Sequence, residues 1–286
     1  MSKLHSAFRS TKLHASSTGA HIVLLPGWLG WANRQYAPVM SVLRGVGSVT
    51  GIDYTGPYFN SERIIRAVAS GIAKKAARDE QVILLGSSLG AMVSLYVLEE
   101  LTRSHRTDLV SAVLIDPPSG ADSLKGVPTP LGPLAAKLGH LPLRFNKGPV
   151  NKFFQKAFCS GIKDDAPIEV PAGTRDKLAY RKQVQRECYE GQQGFSPTLS
   201  FGELAWMCRV GNDGTLARAT TEANGQFTVT HIACTGDNEV VQNPLTQDFY
   251  KKHLPSARFL ENPTNHTDFS QMAPSWRQFL SEQVFV

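Results

Sequence analysis

The chain has 286 residues, of which 42% are hydrophobic and 19% charged, and this balance predicts a packed globular core and excludes a disordered protein. Lys and Arg number 30 against 24 Asp and Glu, and no block of five basic residues occurs, which argues against a nucleic-acid-binding protein. No segment has the ~20 consecutive apolar residues of a membrane span, and the N-terminus lacks a signal-peptide-like apolar run, so we expect a cytoplasmic protein without a transmembrane segment.

Strand and helix patterns alternate over the first part of the chain. Segments 3–9 and 11–16 are candidates for a hairpin. Short apolar runs then predict strands buried on both faces, at 21–25, 48–53, 82–85 and 112–115. Helical spacing predicts a helix over 61–78, with Ser61 as its N-cap, and an amphipathic helix that follows the third strand to about residue 104. This alternation predicts an α/β fold with a parallel sheet and helices on both faces.

The alternation stops after residue 118. Prolines, glycines and helical pieces fill 119–225 without a clear strand. The pattern then resumes with a strand at 227–234, a helix over 244–253, a strand at 257–260 and a C-terminal helix over 270–282. We therefore predict one α/β core made of 1–118 and 226–286, interrupted by a mainly helical insertion over 119–225.

The turn after the third strand carries the strongest chemical signal. Its residues Gly86-Ser87-Ser88-Leu89-Gly90 match the G-x-S-x-G pattern, with Ser88 at the centre. Such a turn holds a serine in a strained conformation at a helix N-terminus, and the glycines let strand and helix approach closely. A plain strand-to-helix turn is the alternative, but the apolar runs on both sides favour a nucleophile at Ser88.

A serine nucleophile needs a base, and His266 is the best candidate among eight histidines. It follows the last predicted strand in the loop Pro-Thr-Asn-His-Thr-Asp, which would open on the same sheet edge as Ser88. A solvent-exposed loop histidine is the alternative. His21 and His231 lie within predicted strands, where structural roles are expected.

With a strand–GSSLG–helix unit, an insertion after the fourth clear strand, an acidic turn after the next strand and a late loop histidine, the chain resembles the α/β-hydrolase superfamily. The resemblance implies a mostly parallel, doubly wound sheet of α/β-hydrolase type, with 119–225 as a cap or lid. It also implies an oxyanion hole formed by the backbone N–H groups of Trp28 and Leu89. Pro26 stands where the family has a histidine, which departs from the usual hydrogen-bond support of that loop.

The triad acid is left open between candidates. In the segment Gly236-Asp237-Asn238-Glu239-Val240-Val241, the family's spacing from the glycine selects Glu239, whereas residue type favours Asp237. Asp116 is a third candidate because it ends the strand after the nucleophile helix, where some members of the superfamily keep their acid. Such an acid orients the imidazole and stabilises its charged form.

The aromatic residues of the insertion have two interpretations, namely the cap's own core or the lining of an acyl or aromatic pocket. This set includes Phe153, Phe154, Phe158, Phe195, Phe201 and Trp206, together with Met207. The four cysteines, which we expect to be reduced, form no C-x-x-C pair and have no histidine at metal-finger spacing.

The sequence favours a serine hydrolase that cleaves a carboxylic ester or thioester of a small or medium apolar acyl group through an acyl-enzyme. Its partner is then a small-molecule substrate, and the chemistry needs no metal or organic cofactor. A C–C bond hydrolase or lyase-like enzyme of the same fold is one alternative, since fold does not determine reaction. A non-catalytic ligand-binding protein of the same fold is another.

Overall fold

The computed structural model describes residues 7–17, 19–28, 30–56, 59–102, 107–124, 197–236, 241 and 243–263. These residues form a seven-stranded sheet in the order β1-β3-β2-β4-β5-β6-β7. The strands are β1 Phe8–His14, β2 Ala20–Leu25, β3 Gly47–Tyr54, β4 Val82–Ser87, β5 Val110–Ile115, β6 Thr228–Cys234 and β7 Arg258–Asn262. Strands β2 to β7 pair in parallel and β1 pairs antiparallel with β3, which confirms the predicted mostly parallel sheet.

Seven α-helices connect or flank these strands within the described part of the chain. They are α1 Ala32–Gln35, α2 Met40–Val46, α3 Ser61–Ala76, α4 Leu89–Leu101, α5 Pro197–Asn212, α6 Thr215–Ala223 and α7 Asn243–His253. Three short 3-10 helices cover 37–39, 107–109 and 121–123. The predicted C-terminal helix over 270–282 lies outside the described residues, as do the insertion's first helical pieces.

The sheet has a hydrophobic core on each face, as the continuous apolar strands predict. On one face, helices α3, α4, α6 and α7 contribute to a large cluster that includes Leu84, Met92 and Leu114. On the other face, α1 and α2 cover Ile22, Leu85 and neighbouring residues. Burying one such leucine contributes roughly 1.5–3 kcal/mol. Both faces of the central strands are therefore covered, so functional side chains are presented at the strand ends.

Helix α4 is more deeply buried than an amphipathic pattern would produce. Ten of its 13 residues are buried, because α3 and α6 pack along it while β4 and β5 lie beneath. The helix that begins directly after Ser88 is thus held rigidly in the middle of the core.

Two local predictions about the first half are wrong. The hairpin over 3–9 and 11–16 is replaced, in the described part, by the single strand β1, because the edge of β3 offers it hydrogen-bonding partners from Tyr54 back to Val49. The N-cap of α3 is Asn60 and not Ser61, since the Asn60 side chain accepts a hydrogen bond from Arg63 N at 3.1 Å.

Candidate active site

Ser88 occupies the tight turn between β4 and α4. Its backbone has φ 50° and ψ −118°, a conformation that residues with a Cβ adopt only under strain. Its N–H donates to Ile115 O at 2.8 Å, and its carbonyl accepts the N–H groups of Ala91 and Met92 that open the helix. The strain is thereby held by the hydrogen bonds of the neighbouring strand and of the helix. The Ser88 residue is 6% exposed, at the carboxyl edge of the sheet.

The glycines of the motif are required by close packing. A Cβ on Gly86 would lie 2.5 Å from Gly90 O and would also collide with Ser94 Oγ. A Cβ on Gly90 would lie 2.5 Å from Pro26 O and would collide with Leu25 O. Gly90 therefore lets α4 pack against the end of β2, which brings the loop after β2 close to Ser88.

The loop after β2 carries Trp28 and lies against Ser88. A Cβ placed on Gly27 would be 3.2 Å from Ser88 Cβ, so the backbone of this loop and the serine are in contact range. Leu89 is the first residue of α4, where N–H groups have no partner within the helix. The structure thus brings together Ser88, Leu89 and the Trp28 loop, three of the elements that the sequence selected.

Asp116 lies directly beside this turn. It directly follows β5, is fully buried and has φ 45°. Its N–H donates to Ile232 O at 2.7 Å, and its Oδ1 accepts Cys234 N at 3.4 Å. Because Ile115 pairs with Ser87 across β4 and β5, Asp116 follows the strand next to the one that leads to Ser88.

The remaining predicted triad residues, Asp237, Glu239 and His266, lie outside the described residues. The strands that precede them end side by side: Cys234 of β6 pairs with Asn262 of β7, and Thr235 N donates to Asn262 O at 2.8 Å. The ends of β6 and β7 are therefore neighbours at the carboxyl edge of the sheet, the edge at which Ser88 also lies.

The part of the insertion that the structure describes joins the main core. Trp206 of α5 packs against Phe59 and Tyr96, with ring centroids 5.6 and 5.3 Å apart, and Met207 lies in the same cluster. These two residues therefore pack into the main hydrophobic core and not into a separate cap core. The aromatic residues from Phe153 to Phe195 lie outside the described residues, and nothing is described of the Phe201 side chain.

A buried glutamate at this end of the sheet was not predicted from the sequence. Glu203 of α5 is fully buried near Tyr54, the last residue of β3. Burial raises the pKa of Tyr54, and the negative charge of Glu203 raises it further. The aromatic residues of α5 suggested a purely apolar helix. The one signal for Glu203 in the sequence is its charge within that helix.

A second missed feature supports the loop after β2. Gln35 Oε1 accepts Gly27 N at 2.7 Å, and Tyr36 Oη donates to Leu25 O at 2.8 Å and lies 3.2 Å from Leu85 O. Tyr36 is fully buried, and burial raises its pKa far above the ordinary range. The hydroxyl therefore stays protonated as a donor at all working pH values.

Cys208 and Cys234 are buried thiols that form no disulfide among the described residues, and burial raises the pKa of Cys208 to about 11, so it is not a reactive thiolate. Among the described residues, no cluster of three His, Cys, Asp or Glu side chains could hold a metal ion. No helix in the described segments is long and apolar enough to cross a membrane.

Comparison with known proteins decides the family. A family model described as the alpha/beta hydrolase family matches residues 22–275. The chain belongs to this family. The resemblance inferred from the sequence and the predicted fold class are both confirmed. A search of curated proteins finds no match for this α/β hydrolase.

Solved structures show the same architecture over nearly the whole α/β hydrolase. A hydrolase from Pseudomonas aeruginosa PA01 is 14% identical with a TM-score of 0.64, covering 98% of this chain and 94% of that one. The enol-lactonase from Burkholderia xenovorans LB400 is 12% identical with a TM-score of 0.63, covering 96% and 95%. A monoacylglycerol lipase from Paleococcus ferrophilus is 15% identical with a TM-score of 0.62, covering 97% and 98%. At these identities, the similarity establishes the fold alone.

Proposed function

We propose that this α/β hydrolase is a serine hydrolase that cleaves a carboxylic ester or thioester of a small or medium apolar acyl group. The observation that carries the proposal is the strained turn at Ser88, whose backbone is held by Ile115 and by the first turn of α4. A plain turn does not require strain, whereas a nucleophile gains by standing at a helix N-terminus. The two neighbours named as a lactonase and a lipase act on esters, which agrees with this substrate class.

The proposed reaction proceeds through an acyl-enzyme. His266 removes the proton of Ser88 Oγ as that oxygen attacks the carbonyl carbon, and the N–H groups of Trp28 and Leu89 bind the resulting oxyanion. His266 then donates the proton to the leaving alkoxide or thiolate, which departs. Water, deprotonated by His266, attacks the acyl-enzyme and releases the acid with Ser88 restored. The insertion over 119–225, apart from helices α5 and α6 that pack in the main core, would act as a cap over this site.

Labelling with a fluorophosphonate probe and mapping the modified peptide test this proposal directly. Wild type is expected to give one adduct, on Ser88, and Ser88→Ala to give none. Ser87→Ala is the matched control, because it removes the neighbouring hydroxyl and is expected to leave the adduct in place. A folded wild type without a Ser88 adduct would contradict the proposal in favour of a ligand-binding protein. An adduct without hydrolysis of p-nitrophenyl esters of any chain length would favour the C–C bond hydrolase.

For the triad acid we propose Asp237. It follows β6, which ends beside the strand that leads to His266, whereas the Asp116 carboxylate already accepts Cys234 N. Asp237→Asn is expected to lower kcat by about 10³-fold or more, since the corresponding change in a triad costs about 10⁴-fold. Asp116→Asn and Glu239→Gln are expected to lower it by less than about 10-fold. A larger loss in either of these variants would move the assignment to that residue.

A further inference from the structure

The loop that carries Trp28 has an unusual support. Pro26 has no side-chain hydrogen-bonding group and no backbone N–H, so it can donate nothing to its surroundings. The structure instead anchors the residues on both sides of it. Tyr36 Oη donates to Leu25 O at 2.8 Å, and Gln35 Oε1 accepts Gly27 N at 2.7 Å. Two consecutive residues at the end of α1 therefore hold the loop.

These bonds determine the direction of the Trp28 N–H. The Gln35 side chain fixes the peptide that precedes Gly27, and Gly30 N fixes the following one by donating to Gly27 O at 2.9 Å. The described residues contain no cis peptide bond, so the Trp28 N–H points away from Gly27 O. Once Gly27 is anchored on both sides, the Trp28 N–H has only one orientation.

The anchored peptide lies at the reacting centre. A Cβ on Gly27 would be 3.2 Å from Ser88 Cβ and 3.2 Å from Gln35 Nε2. Ser88 and the Gln35 amide thus lie against the same glycine. Because a displacement of about 1 Å can lower a rate by about 10²-fold, the position of this peptide matters for any reaction at Ser88.

The position of Gln35 is fixed by contacts at the opposite end of α1. The buried Asp53 accepts Ala32 N at 2.8 Å at the start of α1 and also binds Arg9 Nη2 at 2.8 Å. Gln35 N donates to Trp31 O at 2.8 Å. The four residues of α1 therefore form a short, fixed arm between β3 and the loop.

We infer that Gln35 is a positioning residue for the oxyanion hole, acting through Gly27 on the Trp28 N–H. This inference rests on the proposed function, because it assumes that Ser88 generates an oxyanion. Gln35 touches neither substrate nor Ser88 Oγ in this role. Its contribution is to hold one donor in place before the negative charge develops.

The test compares the kinetics of fluorophosphonate labelling in wild type, Gln35→Met and Asn33→Ala. Methionine keeps the length of the side chain and removes the acceptor, whereas Asn33 is an exposed residue of the same helix. Labelling at a series of probe concentrations separates the maximal rate, kinact, from the probe affinity, KI. In Gln35→Met we expect kinact to fall by about 10-fold to 100-fold with KI changed less than about twofold, and Asn33→Ala to match wild type.

A general loss of structure would not produce this split between kinact and KI. If Gln35→Met fails to fold, Gln35→Asn is used instead. Asparagine is one methylene shorter, so its side-chain oxygen lies farther from Gly27 N, and the same changes in kinact and KI are expected. Values of kinact within about twofold of wild type, or a change confined to KI, would overturn the role of Gln35 and leave the proposed function intact. Absence of any Ser88 adduct in wild type would overturn both.

Discussion

His231 lies on β6 with its imidazole enclosed between Tyr250 and Phe259, whose ring centroids are 4.9 and 5.2 Å away. The residue is 1% exposed, and within the described structure neither ring nitrogen has a hydrogen-bond partner. Burial lowers its pKa from 6.5 to about 4. The negative charge of Asp116 opposes this shift, and the positive charge of Lys251 adds to it. The folded protein therefore holds His231 neutral.

This neutral imidazole makes stability depend on pH with a definite sign. Well above pH 6.5 His231 is neutral in both the folded and the unfolded chain, and its full contribution is present. As pH falls from 6.5 towards 4, His231 binds a proton in the unfolded chain but not in the folded chain, so the free energy of unfolding decreases. With about 1.4 kcal/mol for each unit of pKa difference between the two states, the pKa values of 6.5 and about 4 imply a loss of roughly 3 kcal/mol.

Urea unfolding of wild type and His231→Leu at pH 7, 6, 5 and 4, followed by circular dichroism, measures this loss. Leucine is similar in size and cannot be protonated. The free energy of unfolding of His231→Leu is therefore expected to decline over this range by roughly 3 kcal/mol less than that of wild type. His14→Gln, which removes a half-buried histidine from the edge strand β1, is the matched control and should follow wild type. Parallel profiles for wild type and His231→Leu would refute the reasoning.

Three further predictions concern residues that determine the backbone around Ser88. Gly90→Ala would place a Cβ against Leu25 O and Pro26 O and is expected to destabilise the fold by about 3 kcal/mol or more. Gly71→Ala is the control: a Cβ there has nothing within 4 Å, and it should stabilise the helix by about 0.5–1 kcal/mol. Equal changes in the free energy of unfolding, measured with urea, would contradict the packing argument. Asp53→Ala removes the acceptor for Ala32 N and is expected to lower the free energy of unfolding by about 2–3 kcal/mol. Arg9→Ala removes only the ion pair, with a side chain that is 58% exposed, and is expected to cost under about 1 kcal/mol. Because both variants lose the ion pair, equal losses in urea unfolding would show that the ion pair dominates. The free energy of unfolding of Ser88→Gly should exceed that of Ser88→Ala by about 1 kcal/mol, because only glycine relieves the strain at φ 50°. Thermal unfolding of the two variants measures this difference.

The parts of the fold that the sequence predicted are those encoded by local pattern. The apolar runs that became β2, β4 and β5 are continuous because both of their faces are buried, and the glycines around Ser88 stand where strand and helix touch. The turn at Ser88 was predicted because its strain, its glycines and its flanking elements all lie within one short segment.

The parts that were missed depend on contacts between residues distant in the chain. Asp53 reaches Ala32 and Arg9 from a different strand, and nothing in its neighbourhood in the sequence indicates either partner. Gln35 resembles any polar residue of a short helix until the fold places it against Gly27. The single strand β1 likewise follows from the edge of β3 and not from its own residues.

The bond pattern of Tyr36 has a consequence for substrate scope. Its hydroxyl lies within hydrogen-bonding distance of Leu25 O, at the end of β2, and of Leu85 O in the neighbouring strand β4. A buried phenol that contacts both strands ties the end of β2 to β4 before any molecule binds. The two strands cannot separate beside Ser88 without breaking these contacts. Under the proposed function, we therefore expect the range of accepted substrates to be set by the other residues around Ser88 and not by movement of these two strands.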